Sequence, residues 1–416
     1  MTKTSCGLDF GTANSGIGTV KDGNVAIVEL EPGKDTAPTT LFFGADKKIR
    51  FGSEAVMQMV SREPGRFMRG LKSILGHAAL KETRTLINGQ IYDLTDLIGI
   101  YIKHLKTKAE QSLDKPLENV VLGRPVHFVD DNPAKDSVAQ TIYEKIAQKQ
   151  GFKNIVFQYE PIAVALNYEQ QVDRETIVFV ADIGGGTSDF SVVRVYPNGC
   201  NVADRNKDIL ANDSVHVAGT NLDGELSFHH VMPLLGRDTT YTERRLSMPV
   251  SHFRSLSIWE RVPELYKDRE SIRSLYRGAA DSEIYGRLLK IAEEETGHLL
   301  CMNVEKAKIA LTDNDKALIS LEVAEPGLKM EVSKAQFNEY IAPKVERITD
   351  KAKEVLSASG LKAEQVDKIL LTGGSSMVPE IRNGVLNMFP GKSAEKLNLF
   401  SATVRGLAID AKSKFK

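Results

Sequence analysis

Residues 176 to 190 bring together the chemistry-bearing side chains: Thr176-Ile-Val-Phe-Val-Ala-Asp182-Ile-Gly-Gly-Gly-Thr187-Ser-Asp189-Phe190. An apolar run enters three glycines that are bracketed by acids and followed by a hydroxyl. Gly184, Gly185 and Gly186 lack a Cβ, so the backbone there can reach positive φ and turn its N–H groups towards an anion. Asp182 and Asp189 repel a bare phosphate, which implies a cation between acid and anion. Magnesium suits that place, because it keeps several waters and needs only one or two carboxylates. Thr187 offers a hydroxyl to a phosphate oxygen or a water. The bland alternative is a glycine-rich hairpin with no ligand.

Residues 189 to 196 are β-branched and aromatic without helical spacing, so they read as a strand. The unit is strand-turn-strand. A Walker loop or a dinucleotide fingerprint would open a helix here, and the Walker loop also requires Gly-Lys-Ser/Thr, which is missing. The chain begins with the same pattern, Gly7-Leu-Asp9-Phe-Gly11-Thr12-Ala13-Asn14-Ser15, followed by a second short strand before the turn at 21 to 24. Asp9 stands where Asp182 does. Two such units point to a duplicated fold with one phosphate hairpin per half.

The elements around these turns follow from pattern. A helix is expected around Glu54 to Val60 and a longer one from about Asp96 to Leu113. Val120 to Val126 reads as a strand, and a helix runs from Pro133 to before Gly151 with Asp131 or Asn132 as its cap. A strand over Asn154 to Gln158 leads into Glu160-Pro161. Proline disfavours helix at Glu160 itself and suits the first turn of a helix over Ile162 to Tyr168. One long helix over Tyr285 to Leu311 puts Glu305, Lys308 and Thr312 on one face. Ser333 to Gln336 is a capping-box start for a helix that ends near Gly360. A strand over Lys368 to Thr372 feeds Gly373-Gly374-Ser375-Ser376 and a helix with Pro379 in its first turn, whose free N–H groups can meet a phosphate or a ribose.

With 416 residues, 42% of them hydrophobic, the chain can bury a large core, and its length suggests two or three domains. A net charge of -1 with 26% charged residues gives no electrostatic reason to expect nucleic acid or an anionic membrane. No apolar run approaches the roughly 18 residues of a membrane span and none resembles a signal peptide, so a cytoplasmic location is expected. Cys6, Cys200 and Cys301 are isolated and support neither a zinc site nor a disulfide framework. Residues 233 to 290 mix many arginines and Trp259 with nearly as many acids. That balance reads as a solvated helical surface, with a protein-partner site as the alternative.

The paired motifs resemble the two phosphate motifs of the actin-like ATPases, and within that superfamily they are most similar to the DnaK-type, or heat-shock-seventy, chaperones. Lys72-Ser-Ile-Leu-Gly76 resembles the family's lysine-containing segment, and Tyr159-Glu160-Pro-Ile-Ala-Val-Ala165 its Asn-Glu-Pro-Thr-Ala-Ala-Ala signature. Ala218-Gly219-Thr-Asn-Leu-Asp223 resembles the second connecting segment, and Leu371-Thr-Gly-Gly-Ser-Ser-Met377-Val-Pro379 the adenosine motif. The resemblance implies an α/β actin-like fold of two duplicated ribonuclease-H-like lobes around a nucleotide cleft. Lobe I is expected at 1–172 plus 390–416, with an insertion at about 34–111, and lobe II at 173–389, with an insertion at about 219–313.

The same resemblance implies ATP or ADP with magnesium as ligands. Thr12 and Thr187 would hold phosphates, with the amides of Gly11, Thr12, Ala13 and Asn14 and of Gly184 to Thr187. Asp9 and Asp182 would anchor magnesium through water. Lys72, Glu160 and Asp189 would orient or deprotonate the attacking water. Gly219, Glu305, Lys308, Thr312, Gly373, Gly374, Ser375 and Met377 would face the nucleoside. Four departures stand out: Ala13 replaces a second threonine, Ile309 and Met377 replace arginines at the adenine, and Phe400 replaces an acid. The sequence ends at Lys416, just past the last helix of the ATPase fold, so a YegD-like short form without a peptide-binding domain is expected. The expected activity is slow ATP hydrolysis coupled to lobe closure, with unidentified clients or co-chaperones as partners. The alternatives are a nucleotide sensor with little turnover, a small-molecule kinase on the same fold, and an actin-like filament.

Overall fold

The computed structural model describes residues 4–21, 23–76, 83–197, 205–241, 245–395, 397–398 and 401–415. Cys200 and Phe400 lie outside the described residues. The chain forms two compact units, one of residues 1–218, 347–377 and 381–416 and the other of residues 219–346 and 378–380.

The first unit contains two sheets with the same plan. In one, β1 (Ser5–Phe10), β2 (Asn14–Lys21), β3 (Asn24–Ile27), β4 (Asn119–Arg124) and β5 (Asn154–Tyr159) lie in the order β5-β4-β1-β2-β3. In the other, β6 (Thr176–Ile183), β7 (Ser188–Val195), β8 (Ile209–Val215), β9 (Lys368–Thr372) and β10 (Ala394–Glu395) lie in the order β10-β9-β6-β7-β8. Each sheet therefore has its first strand at the centre, antiparallel to the second and parallel to the fourth. The duplication expected from the two hairpins holds for the whole sheet order. Because the central strands are covered on both faces, β1 and β6 are buried along nearly their whole length, and β6 reads as a near-continuous apolar run.

Helices Leu94–Leu113 and Pro133–Lys149 bury their apolar faces in a core shared with Leu8, Phe10, Ile17 and Leu122 of the first sheet. Helix Ala402–Lys414 lies against β1 and against helix Glu160–Glu169 so closely that a Cβ on Gly7 would overlap the Leu407–Ala408 backbone, and one on Gly406 the Ala163 carbonyl. Glycine there is a packing requirement.

Local signals were read well at several ends. Asn132 caps helix Pro133–Lys149 by accepting from the Lys135 N–H at 3.0 Å, while Asp131 takes up a left-handed φ of 54°. Ser333 and Gln336 form the expected box: the Gln336 N–H donates to Ser333 Oγ at 3.2 Å and the Ser333 N–H to Gln336 Oε1 at 3.0 Å. Helix Glu160–Glu169 starts two residues before the expected Ile162. Pro161 fits because N–H groups in a first turn need no helical partner.

In the second unit, the single helix expected over Tyr285 to Leu311 is two, Ser282–Glu293 and Gly297–Asp313. Glu295 turns left-handed at φ 53° between them. Tertiary packing breaks the pattern: a Cβ on Gly297 would lie 2.8 Å from Val262 Cγ1, and the Gly297 N–H donates to Tyr266 Oη at 3.0 Å. Residues 233–290 are largely helical, with Val250–Leu256, Val262–Lys267 and Arg269–Arg277 preceding Ser282–Glu293. Several of their arginines pair with acids, as Arg273 does with Glu270 and Glu293, both at 2.7 Å. Trp259 is buried and stacks on His298.

Candidate functional site

The β1–β2 hairpin turns through Gly11 to Ala13. The Gly11 N–H donates to Ser15 Oγ at 3.2 Å, Ser15 shares a bond with Thr39 Oγ1 at 2.7 Å, and the Thr39 N–H returns to the Ala13 carbonyl at 2.8 Å. The β6–β7 hairpin closes where the Gly184 N–H meets the Thr187 carbonyl at 3.1 Å. The glycines do not serve these turns through positive φ, contrary to expectation, because Gly11, Gly184, Gly185 and Gly186 all stay outside the left-handed region. Close approach explains them instead. A Cβ on Gly186 would sit 2.7 Å from Thr12 Oγ1 and one on Gly185 3.2 Å from the Ala13 methyl, so the two hairpins press tip to tip. Gly184 has room, with nothing nearer than 3.8 Å.

The third glycine turn joins them. β9 runs parallel to β6 with Thr372 beside Asp182, and Gly373 then turns at φ 76°, where a Cβ would lie 2.9 Å from Asp182 Oδ1. Ser375 Oγ donates to the Gly184 carbonyl at 2.7 Å. Gly374 to Met377 form a 3-10 turn before helix Pro379–Leu386, so the expected strand, glycine turn and helix with Pro379 in its first turn follow in that order.

Behind the hairpins lies a charge cluster. Lys72 follows strand Gly65–Arg69, is buried, and places Nζ 2.5 Å from Glu160 Oε1. Asp182 and Asp189 are buried and directly opposite each other across the β6–β7 ladder, which puts both carboxylates on one face. The Val126 N–H donates to Asp189 Oδ1 at 2.6 Å, and Thr403 Oγ1 to Asp182 Oδ2 at 3.5 Å. Burial and then the charge of Glu160 push Asp9 up to about 7, against the pull of Lys72. The same two causes push Asp189 up to about 7, against its bonds to Thr187 and Val126. Asp182 is pushed well above the usual carboxylate range by burial, then by Glu160, Asp189 and Asp9. For Lys72, burial works against the charge, but Glu160 and Asp9 outweigh it and raise its pKa.

Asp9, Glu160, Asp182 and Asp189 thus surround one lysine, an excess of buried negative charge that only protons or a cation can offset. That donor set fits a divalent cation. Among the described residues no three His, Cys, Asp or Glu side chains converge closely enough to ligate a metal directly.

The nucleoside candidates divide between the units. Met377, in the first, is 40% exposed. In the second, Lys308 is buried, pairs with Asp223 at 2.8 Å and donates to the Gly219 carbonyl at 3.3 Å. Its ammonium is engaged inside the protein. Ile309, beside it, is 59% exposed, while Glu305 and Thr312 on the same helix are half-buried. Sequence reasoning missed Thr403 and the Val126 N–H. Thr403 carries no motif, and a backbone donor leaves no signal in residue types.

The family model described as Hsp70 protein matches residues 5–232 and 291–413. The stretch it passes over, 233–290, is the arginine-rich helical segment whose sequence is least motif-like. The protein described as "Chaperone protein DnaK" from Thermosipho melanesiensis is 24% identical over 413 residues, an alignment that covers 97% of this chain and 58% of that protein. The chain therefore spans little more than half the length of this curated relative. Among the described residues no helix is long and apolar enough to cross a membrane.

Proposed function

Because the chain belongs to the Hsp70 protein family, we propose that it binds ATP with magnesium at the abutting hairpins and hydrolyses the γ-phosphate slowly with water as nucleophile. The observation that carries this reading is the buried Lys72–Glu160 pair amid Asp9, Asp182 and Asp189. The amides of Gly11 to Asn14 and of Gly184 to Thr187, with the Thr12 and Thr187 hydroxyls, hold phosphate oxygens. Asp9 and Asp182 hold the hydrated magnesium, which when bound neutralises charge on the phosphates. Glu160 fixes the Lys72 ammonium, so the lysine meets the γ-phosphate already oriented. Asp189 and Glu160 orient the water, with the Val126 N–H fixing the Asp189 carboxylate in place. This is catalysis by positioning and charge, without a covalent step.

In this reading the lobes are 1–172 with 390–416 and 173–389, a cut that separates the two sheets but for the short β10 at the boundary. Nucleotide state sets lobe closure, a hinge motion that a client or co-chaperone reads. Single-turnover hydrolysis by wild type, Lys72→Ala and Thr187→Ala tests the chemistry. Both variants should be slower by about a hundredfold or more. Equal, slow rates in all three would favour a second reading, a nucleotide sensor with little turnover. That reading draws on Lys308 being engaged by Asp223 and on the apolar Ile309 and Met377.

A further inference from the structure

β4 ends at Arg124, and the chain then leaves the sheet through Pro125-Val126-His127-Phe128. Three successive N–H groups of that segment have acceptors on other elements. The Val126 N–H donates to Asp189 Oδ1 at 2.6 Å, the His127 N–H to Ser214 Oγ at 3.1 Å and the Phe128 N–H to Asp136 Oδ1 at 2.5 Å. Asp189 and Ser214 are partners across the β7–β8 ladder, so the segment is seated on the second sheet beside an acid of the charge cluster. Arg124 holds its carbonyl side.

The arginine is buried, and its Nε donates to the Pro125 carbonyl at 3.0 Å. Nη2 reaches the Val126 carbonyl at 3.0 Å and the two Asp136 oxygens at 2.9 and 2.8 Å, while Nη1 donates to Gln140 Oε1, one turn further along helix Pro133–Lys149. The rings of Phe128 and Tyr159 lie 4.8 and 5.3 Å from the guanidinium carbon. Anchoring the segment to the helix needs no more than Asp136 and the Phe128 N–H. The bonds to the Pro125 and Val126 carbonyls do something further. The Pro125–Val126 peptide is trans, so its carbonyl and its N–H point in opposite directions. Arg124 takes the carbonyl and Asp189 the N–H. A peptide plane fixed at its oxygen cannot turn its N–H away from the carboxylate, and only the planar fork of an arginine can hold two carbonyls and a carboxylate together.

We propose that Arg124 is a positioning residue for the hydrolysis: it fixes the Pro125–Val126 peptide so that the Val126 N–H holds the Asp189 carboxylate in the orientation that takes up the attacking water. The inference rests on the ATP-hydrolysing reading given above. Arg124 acts through Asp189, so its contribution exists only while Asp189 is there to be held.

Arg124→Lys keeps a cation beside Asp136 and gives up the fork. The expected result is a folded protein by thermal melting, a Kd for Mg-ATP within about twofold of wild type, and a single-turnover rate reduced about tenfold. Made on the Asp189→Asn background, the same substitution should change the rate by about twofold or less, because the two residues act as one unit. Asp136→Asn keeps the arginine and loosens its seat, so it should act in the same way by a smaller factor, and it decides the matter if Arg124→Lys does not fold. An active wild type with an unchanged rate in the folded variant overturns the proposal, as does an Asp189→Asn protein that hydrolyses like wild type. A rate that falls by the same factor on both backgrounds overturns it too, in favour of a purely structural role. A wild type that neither binds nor hydrolyses ATP defeats the reading beneath the proposal, and that outcome is distinct from an active wild type with an indifferent variant.

Discussion

The β1–β2 and β6–β7 hairpins occupy the same place in two sheets of the same strand order, yet they carry unequal charge. Across the first ladder Asp9 faces Gly16, whereas across the second Asp182 faces Asp189. Like charges directly opposite in an antiparallel pair destabilise it. The first hairpin ties its turn to Thr39 through Ser15 and the Ala13 carbonyl, while the second ties its acids to Val126 and Thr403. Duplication supplied two identical scaffolds. The divergence between them leaves one carboxylate on the first ladder and two opposed carboxylates on the second.

The largest effect should come from the cation that both hairpins share. Lys72→Ala strands the buried Glu160 carboxylate, and breaking such a pair costs roughly 3–5 kcal/mol. Thermal unfolding should show that loss, and the double variant Lys72→Met with Glu160→Gln should recover most of it without recovering hydrolysis. Next comes the contact between the tips. Gly186→Ala pushes a methyl against Thr12 and should cost about 1–3 kcal/mol, while Gly184→Ala, where the space is open, should cost about 1 kcal/mol or less. Equal denaturation midpoints for the two would break the claim that the hairpins touch at Gly186.

The charge asymmetry makes a prediction in pH. Asp9 and Asp189 titrate at about 7 in the folded protein against about 3.9 when unfolded. Between those values the folded state holds protons that the unfolded state has released. Stability of the nucleotide-free protein therefore falls as pH rises from about 4 to 7. Calorimetric melting at pH 5 and pH 8 should show it. Asp182→Asn with Asp189→Asn should flatten the slope more than Asp9→Asn does, because the second hairpin contributes two of the three raised acids. The smallest effect is expected at Met377, exposed at the end of the third glycine turn: Met377→Arg should tighten ATP by about two- to fivefold in a calorimetric titration, the value of an exposed cation–π contact.

What the sequence disclosed and what it hid divide along physical lines. Asp9, Asp182, Glu160-Pro161 and the Ser333 box announce themselves because a short peptide already contains the turn, the acid or the cap. The Lys308–Asp223 pair and the break at Glu295 depend on residues distant in the chain, and no local pattern encodes them. The turn at the glycine triplet was legible, but positive φ was the wrong reason for it. Positive φ is a property of one residue, whereas the tip-to-tip contact of Gly186 with Thr12 exists only once both sheets have formed.

The central claim is that the charge cluster at the paired hairpins is a magnesium-nucleotide site, and isothermal calorimetry of the wild type with ATP or ADP tests it most directly. The account predicts one nucleotide per chain in the presence of magnesium and a marked loss of affinity on chelation with EDTA. Binding of neither nucleotide, or binding that is indifferent to EDTA, contradicts it.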